Sequence, residues 1–280
     1  MPFTCTEHGI RIHYEVTGRA DGEPLLLIQG LGADRRGWAF QRFALGRRYR
    51  LYLVDNRGAG GSDKPQGPYD LEQMAEEALA VLDAEGVERA HVMGASMGGV
   101  LAQILAVRHP DRVRSLVLAC TASRHHQWRV DLLAEWASIA ERRGMRALAS
   151  RAVRWLVGPR AHRRFHLPFR VLSPFVLNVP AHAFAAQARA ILAFPDEIRE
   201  ELRSVAVPTM VIVGSQDILT PLADSEELCE LIPHAELHVI GGAAHGLMVE
   251  HAGTFNDRVL AFLERASALT APAAPEALTA

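Results

Sequence analysis

Short apolar runs alternate with helical patterns along most of this chain, and that alternation constrains the fold more than any other feature. A parallel sheet needs a crossover between successive strands, so the pattern belongs to the α/β class. Residues 3–7 and 11–16 read as two short opening strands. Residues 24–28 (PLLLI), 51–54, 90–93, 113–119, 210–213 and 237–240 read as further strands, bounded by turn signals. Helices are expected at 71–85, with Asp70 placed to cap the first turn, near 97–108, and at 254–265. In the helix near 97–108, Val100, Leu101, Ile104 and Leu105 make one apolar face, and Pro110 stops it.

Residues 122–205 break the alternation. They are rich in helical pattern and hold fourteen arginines against seven acidic residues, with three of the four tryptophans. The whole chain carries −2, so this stretch carries +7 and the remainder −9. We read it as a helical cap inserted into an α/β core made of residues 1–121 and 206–267, with 268–280 a disordered, low-complexity tail. At 49% hydrophobic and 22% charged, the 280-residue chain is neither disordered nor fibrous. A net charge near zero gives no bulk attraction to nucleic acid or membrane, and no apolar run approaches the ~20 residues of a membrane span. The opening thirty residues lack the basic start and apolar stretch of a secretory signal. Cys5, Cys120 and Cys229 are too scattered for a disulfide framework or a zinc cluster, so a reduced, cytoplasmic protein without a metal is expected.

Gly94-Ala95-Ser96-Met97-Gly98 is a G-x-S-x-G sequence with a strand before it and a helix after it. That context marks a nucleophile elbow, a sharp turn that holds the serine hydroxyl exposed at a helix N-terminus. A glycine-rich turn with an incidental serine is the competing reading. A serine nucleophile needs a base, and the base needs an orienting acid, in the chain order Ser, acid, His. Asp217 follows the strand 210–213 and His245 lies in the glycine-rich loop after residue 240, so all three fall at carboxyl ends of strands. His234, His238 and His251 are worse placed, and no carboxylate follows residues 113–119. The oxyanion needs two amide donors, for which Met97 and Leu31 are the candidates.

Other signals are weaker. Gly58-Ala59-Gly60-Gly61 fails the spacing of a dinucleotide loop. His162 and His166 have helical ligand spacing but no third ligand. His125, His126 and Trp128 open the cap and either line the pocket or face solvent, and Trp38 is either pocket wall or core. Gln29, Trp38 and Trp128 are the candidates for touching substrate. The cap arginines read as solvated helix faces rather than an anion lure, and Phe165, Phe169, Phe175 and Phe184 as mainly the cap's own core, with some of them expected to face the cavity.

Taken together, QGLG, DNRGAGGSD, GASMGG, HPDRVRSLVL, PTMVIVGSQDILTP and AAHG make residues 3–266 resemble the α/β-hydrolase family. The resemblance implies an eight-stranded, mostly parallel sheet, a helical cap, and a triad of Ser96, Asp217 and His245 working without a cofactor. Many relatives have His-Gly where this chain has Gln29-Gly30. The cap length and the phrases around DNRGAGGSDKPQGPY look most like 3-oxoadipate enol-lactonases and their esterase neighbours. A serine at position 96 argues against the dehalogenases and epoxide hydrolases of this fold. The expected activity is cleavage of a small-molecule ester or lactone; a cofactor-free haloperoxidase or perhydrolase, a C–C bond hydrolase and a non-catalytic receptor are the alternatives.

Overall fold

The chain is described by a computed structural model covering residues 2–6, 8–159, 179–195 and 198–270. Strands β1 (Phe3–Cys5), β2 (Arg11–Gly18), β3 (Glu23–Ile28), β4 (Tyr49–Val54), β5 (Ala90–Ala95), β6 (Val113–Ala119), β7 (Thr209–Gly214) and β8 (Glu236–Ile240) form one sheet. Their order is β1-β2-β4-β3-β5-β6-β7-β8. Only the pairings β1–β2 and β2–β4 are antiparallel, and the other strands run parallel. The eight-stranded α/β expectation holds, with most strands longer by a residue or two and β1 ending at Cys5 rather than at residue 7.

Period-2 side-chain alternation sorts the apolar strands between two cores. Leu26 and Ile28 join Tyr52, Val54, Val92 and Leu116 in one core. Leu25 and Leu27 join Leu51, Leu53, Met93 and Val117 in the other. Helices α1 (Ala39–Gly46), α2 (Leu71–Ala84), α3 (Met97–Arg108), α4 (Gln127–Arg143), α5 (Met145–Leu156), α6 (Ala181–Ala193), α7 (Leu222–Leu231) and α8 (Ala252–Thr270) cover the sheet and its strand ends. Asp70 caps α2 by accepting a hydrogen bond from the Gln73 N–H at 2.9 Å.

Two expectations need correction. Helix α3 is not amphipathic: every residue from Met97 to Ala106 is buried, because α3 packs on the sheet and is enclosed by α2 and the segment before β7. The reading of 268–280 as a tail is also wrong at its start. Helix α8 runs to Thr270, with Phe255, Val259, Phe262 and Leu263 seated in the core. The Ser267 and Thr270 hydroxyls donate to the Leu263 and Ala266 carbonyls, each at 2.9 Å, and accompany the last turns. The remainder of that stretch lies outside the described residues.

Helices α4, α5 and α6 lie between β6 and β7, and no strand interrupts that stretch among the described residues. Arg142, Arg143, Arg146, Arg151, Arg154 and Arg189 are exposed, as solvated faces require, whereas Arg129 is buried. No helix among the described residues is long and apolar enough to cross a membrane.

Candidate active site

Ser96 sits between the end of β5 and the start of α3 with φ 54° and ψ −119°. That is a strained conformation for a residue with a Cβ, and the surroundings must impose it. Its N–H donates to the Ala119 carbonyl at 2.9 Å, and its own carbonyl accepts from Thr121 Oγ1 at 2.8 Å. Glycine is required on both sides. A Cβ on Gly94 would collide with the Gly98 carbonyl, and one on Gly98 with the Ile28 carbonyl of β3. The elbow is therefore clamped between β3 and β6, and Ser96 opens onto a cavity.

Asp217 follows β7 and His245 follows β8. Asp217 Oδ2 accepts from His245 Nδ1 at 2.8 Å and from Thr220 Oγ1 at 2.8 Å. Asp217 Oδ1 accepts the Leu219 and Thr220 N–H groups, each at 2.9 Å. Burial pushes this carboxyl up, but the His245 imidazole and the hydrogen bonds outweigh it and hold the group below the usual carboxylate range. Thr220, which the sequence did not single out, also lies 3.2 Å from His245 Nδ1 through its hydroxyl. His245 and Ser96 line the same cavity. Cys120 lines it too, but burial and then the Asp217 charge push its thiol far up, so it stays protonated.

Leu31 and Met97 both line this cavity. Met97 is the first residue of α3, where no helical carbonyl precedes its N–H. The backbone of Gly30 is packed against the nucleophile: a Cβ there would stand 3.0 Å from Ser96 Cβ and 3.6 Å from Ser96 Oγ. Gln29 reaches the cavity wall, but its Oε1 turns back to accept the Gly30 N–H at 3.3 Å. The two tryptophan expectations fail. Trp38 is fully buried in the core with Leu25, Leu27 and Leu45, and Gly37 rather than Trp38 faces the cavity. Trp128 stacks on Trp155 at 6.1 Å, 39% exposed, and does not line the cavity, whereas Trp136 does.

The cavity measures about 270 Å³ and is overwhelmingly apolar. Leu133 and Trp136 of α4, Leu148 and Ala152 of α5, and Phe184 and Ile191 of α6 supply its far wall. Arg129, also in the wall, is paired with Asp224 and donates to the Leu219 and Arg124 carbonyls at 2.8 and 2.9 Å. His125 is pushed down to about 4 by burial and then by the Arg129 and His126 charges, so it is neutral near pH 7. No group of three metal-ligating side chains occurs among the described residues. His162, His166, Phe165, Phe169 and Phe175 lie outside them.

Each loop of the site is also tied to the helices above it. Gln187 of α6 accepts the Gly32 N–H through Oε1 at 2.9 Å and donates to the Arg57 carbonyl through Nε2 at 2.6 Å. Arg129 of α4 holds the Leu219 carbonyl beside Asp217. The carbonyl of Leu156, the last residue of α5, accepts the Gly246 N–H at 2.7 Å. Glu250 accepts the Ala244 N–H at 3.2 Å and the Gly158 N–H at 3.0 Å, so His245 is gripped from both sides.

Known proteins match this arrangement over most of the chain. A family described as alpha/beta hydrolase fold matches residues 23–252. The 3-oxoadipate enol-lactonase 2 of Acinetobacter baylyi is 30% identical over 94% of this chain and 96% of its own length. The 2-hydroxymuconate semialdehyde hydrolase of a Pseudomonas species is 33% identical over 93% of each. The crystal structure of the enol-lactonase from Burkholderia xenovorans superposes with a TM-score of 0.87 at 29% identity, covering 94% of this chain and 100% of that one. The chain therefore belongs to the alpha/beta hydrolase family.

Proposed function

We propose that this protein is a serine hydrolase that cleaves a small, uncharged ester or lactone through an acyl-enzyme on Ser96. His245 Nε2 takes the Ser96 proton as Oγ attacks the acyl carbon, which becomes tetrahedral. Asp217, anchored by three hydrogen bonds from Leu219 and Thr220, holds the His245 Nδ1–H and stabilises the imidazolium. The Leu31 and Met97 N–H groups receive the oxyanion. The imidazolium then gives its proton to the departing alkoxide; in a lactone that alkoxide stays tethered to the acyl group. Water, deprotonated by His245, attacks the acyl carbon, and Ser96 leaves as the free hydroxyl.

The observation that carries this reading is the buried Asp217–His245 pair opening onto the apolar cavity that Ser96 enters from its strained turn. The wall favours an uncharged, apolar acyl group. Among the described residues, its arginine is already paired with Asp224 and its histidine His125 is neutral. Among the described residues, α4, α5 and α6 act as the cap over this site, and the three unpaired cysteines fit a reducing, cytoplasmic setting. A C–C bond substrate is the second reading, favoured by the likeness to the 2-hydroxymuconate semialdehyde hydrolase.

The test is Ser96→Ala against p-nitrophenyl butyrate, with fluorophosphonate labelling of the parent. Turnover should fall about 10⁵-fold or more with the fold intact, and the label should map to Ser96. Undiminished turnover, or no labelling, overturns the assignment.

A further inference from the structure

Gln187 is wholly buried on α6, a long way along the chain from the catalytic loops, yet both ends of its amide are engaged by them. Its acceptor faces the N–H of Gly32, the residue after the oxyanion candidate Leu31. Its donor faces the carbonyl of Arg57 in the loop after β4. Gly32 adopts φ 70°, and a Cβ there would stand 2.8 Å from the Phe184 ring, one turn before Gln187 on the same helix. A loop with a left-handed Gly32, pressed by an aromatic ring and held by one side-chain acceptor, has its peptide orientation set from the cap. Asn56 Nδ2 donates to the Gln29 carbonyl at 2.8 Å and fixes the other end of the loop. The Leu31 N–H lies between these two restraints.

We propose that Gln187 is a positioning residue that aims the Leu31 N–H at the developing oxyanion, making oxyanion stabilisation depend on how the cap is seated. This rests on the serine-hydrolase reading above. Gln187 touches neither nucleophile nor base, and it does not line the cavity. Its loss should therefore weaken transition-state binding and leave substrate binding alone. Two variants separate the parts of the amide. Gln187→Met keeps the length and removes both hydrogen bonds. Gln187→Glu keeps an acceptor for Gly32 and loses the donor to Arg57.

The experiment measures kcat and KM for p-nitrophenyl butyrate, the Ki of a trifluoromethyl ketone that adds to Ser96, and Tm. Misplacing one donor should cost less than the 10²–10³-fold that deleting one costs, so about tenfold in kcat is expected for Gln187→Met. KM should stay within about twofold, and the ketone Ki should rise in step with the loss of kcat/KM. Gln187→Glu should keep more of the parent kcat than Gln187→Met. A folded Gln187→Met with parental kcat and ketone affinity overturns the proposal, as does a change confined to KM. If Gln187→Met does not fold, Gln187→Asn, one methylene too short to reach either partner, replaces it: ketone affinity and kcat falling together support the proposal. Parental values, or a fall in kcat without loss of ketone affinity, overturn it. Absence of turnover and of fluorophosphonate labelling in the parent enzyme would instead defeat the underlying serine-hydrolase reading.

Discussion

Asp217 shows how much a single carboxylate can specify. Its Oδ1 is anchored by two backbone N–H groups, so in an Asp217→Asn variant the amide oxygen must stay there. The new NH₂ then faces His245 and forces Nδ1 to accept instead of donate. The other ring nitrogen becomes N–H and can no longer take the Ser96 proton. We expect kcat to fall about 10⁴-fold while Tm stays within a few degrees, measured by ester turnover and thermal melting. A loss below about tenfold would mean that the acid does not set the tautomer. That Ser96 and the Asp217–His245 pair meet at one cavity was legible because each residue stands at a strand end in a recognisable turn. Thr220 was not, since a threonine three residues past an aspartate carries no signal until the loop folds back.

Among the secondary structures, legibility tracks periodicity. The inner strands β3 to β7 were readable because continuous apolar runs cannot face water. Helix α1 was not, because its pattern is inverted: Phe40 and Phe43 are exposed, whereas Gln41 is buried and donates to the Met248 carbonyl at 2.7 Å. The place of Trp38 beyond QGLG left pocket and core both open, and the short helical turn Arg35–Trp38 swings it into the core.

The amino ends of β3, β5 and β6 hold a network around the buried His91 that no motif announced. His91 Nδ1 meets Ser115 Oγ at 2.7 Å, and His91 Nε2 meets Glu23 Oε2 at 3.3 Å. Burial pushes His91 down to about 4, despite the opposing pull of Glu23. Between that value and its ordinary 6.5, the unfolded chain binds a proton that the folded chain does not. Stability therefore rises with pH across this window and falls on acidification. The His91 share is about 3 kcal/mol, from roughly 1.4 kcal/mol per unit. Urea denaturation of the parent and of His91→Gln from pH 7 to 4 checks it: the variant should show a shallower loss, and an unchanged slope refutes it.

Across the fold, what could not be read from the chain is how α4 and α6 are fastened to the loops of the site. The partners are far apart in sequence, 155 residues for Gln187 with Gly32 and 95 for Arg129 with Asp224. Neither residue type hints at its partner. Arg129 and Asp224 form a buried ion pair between α4 and α7, and burial pushes the Asp224 carboxyl up even against the arginine. Arg129→Ala strands that carboxylate and should cost about 3–5 kcal/mol by chemical denaturation. The double variant Arg129→Met with Asp224→Leu should recover most of it. A single variant as stable as the parent would show that the pair is not a fastening.

The fastenings at Gly32, Leu219 and Gly246 also bear on how such a chain can diversify. An insertion that met the carboxyl edge of the sheet only through greasy contacts could be exchanged wholesale for another, changing substrate while sparing chemistry. Here any transplanted lid must also supply an acceptor for one loop, a cation for the second and a free carbonyl for the third. New specificity should therefore arise by point changes inside the existing helices more readily than by swapping them.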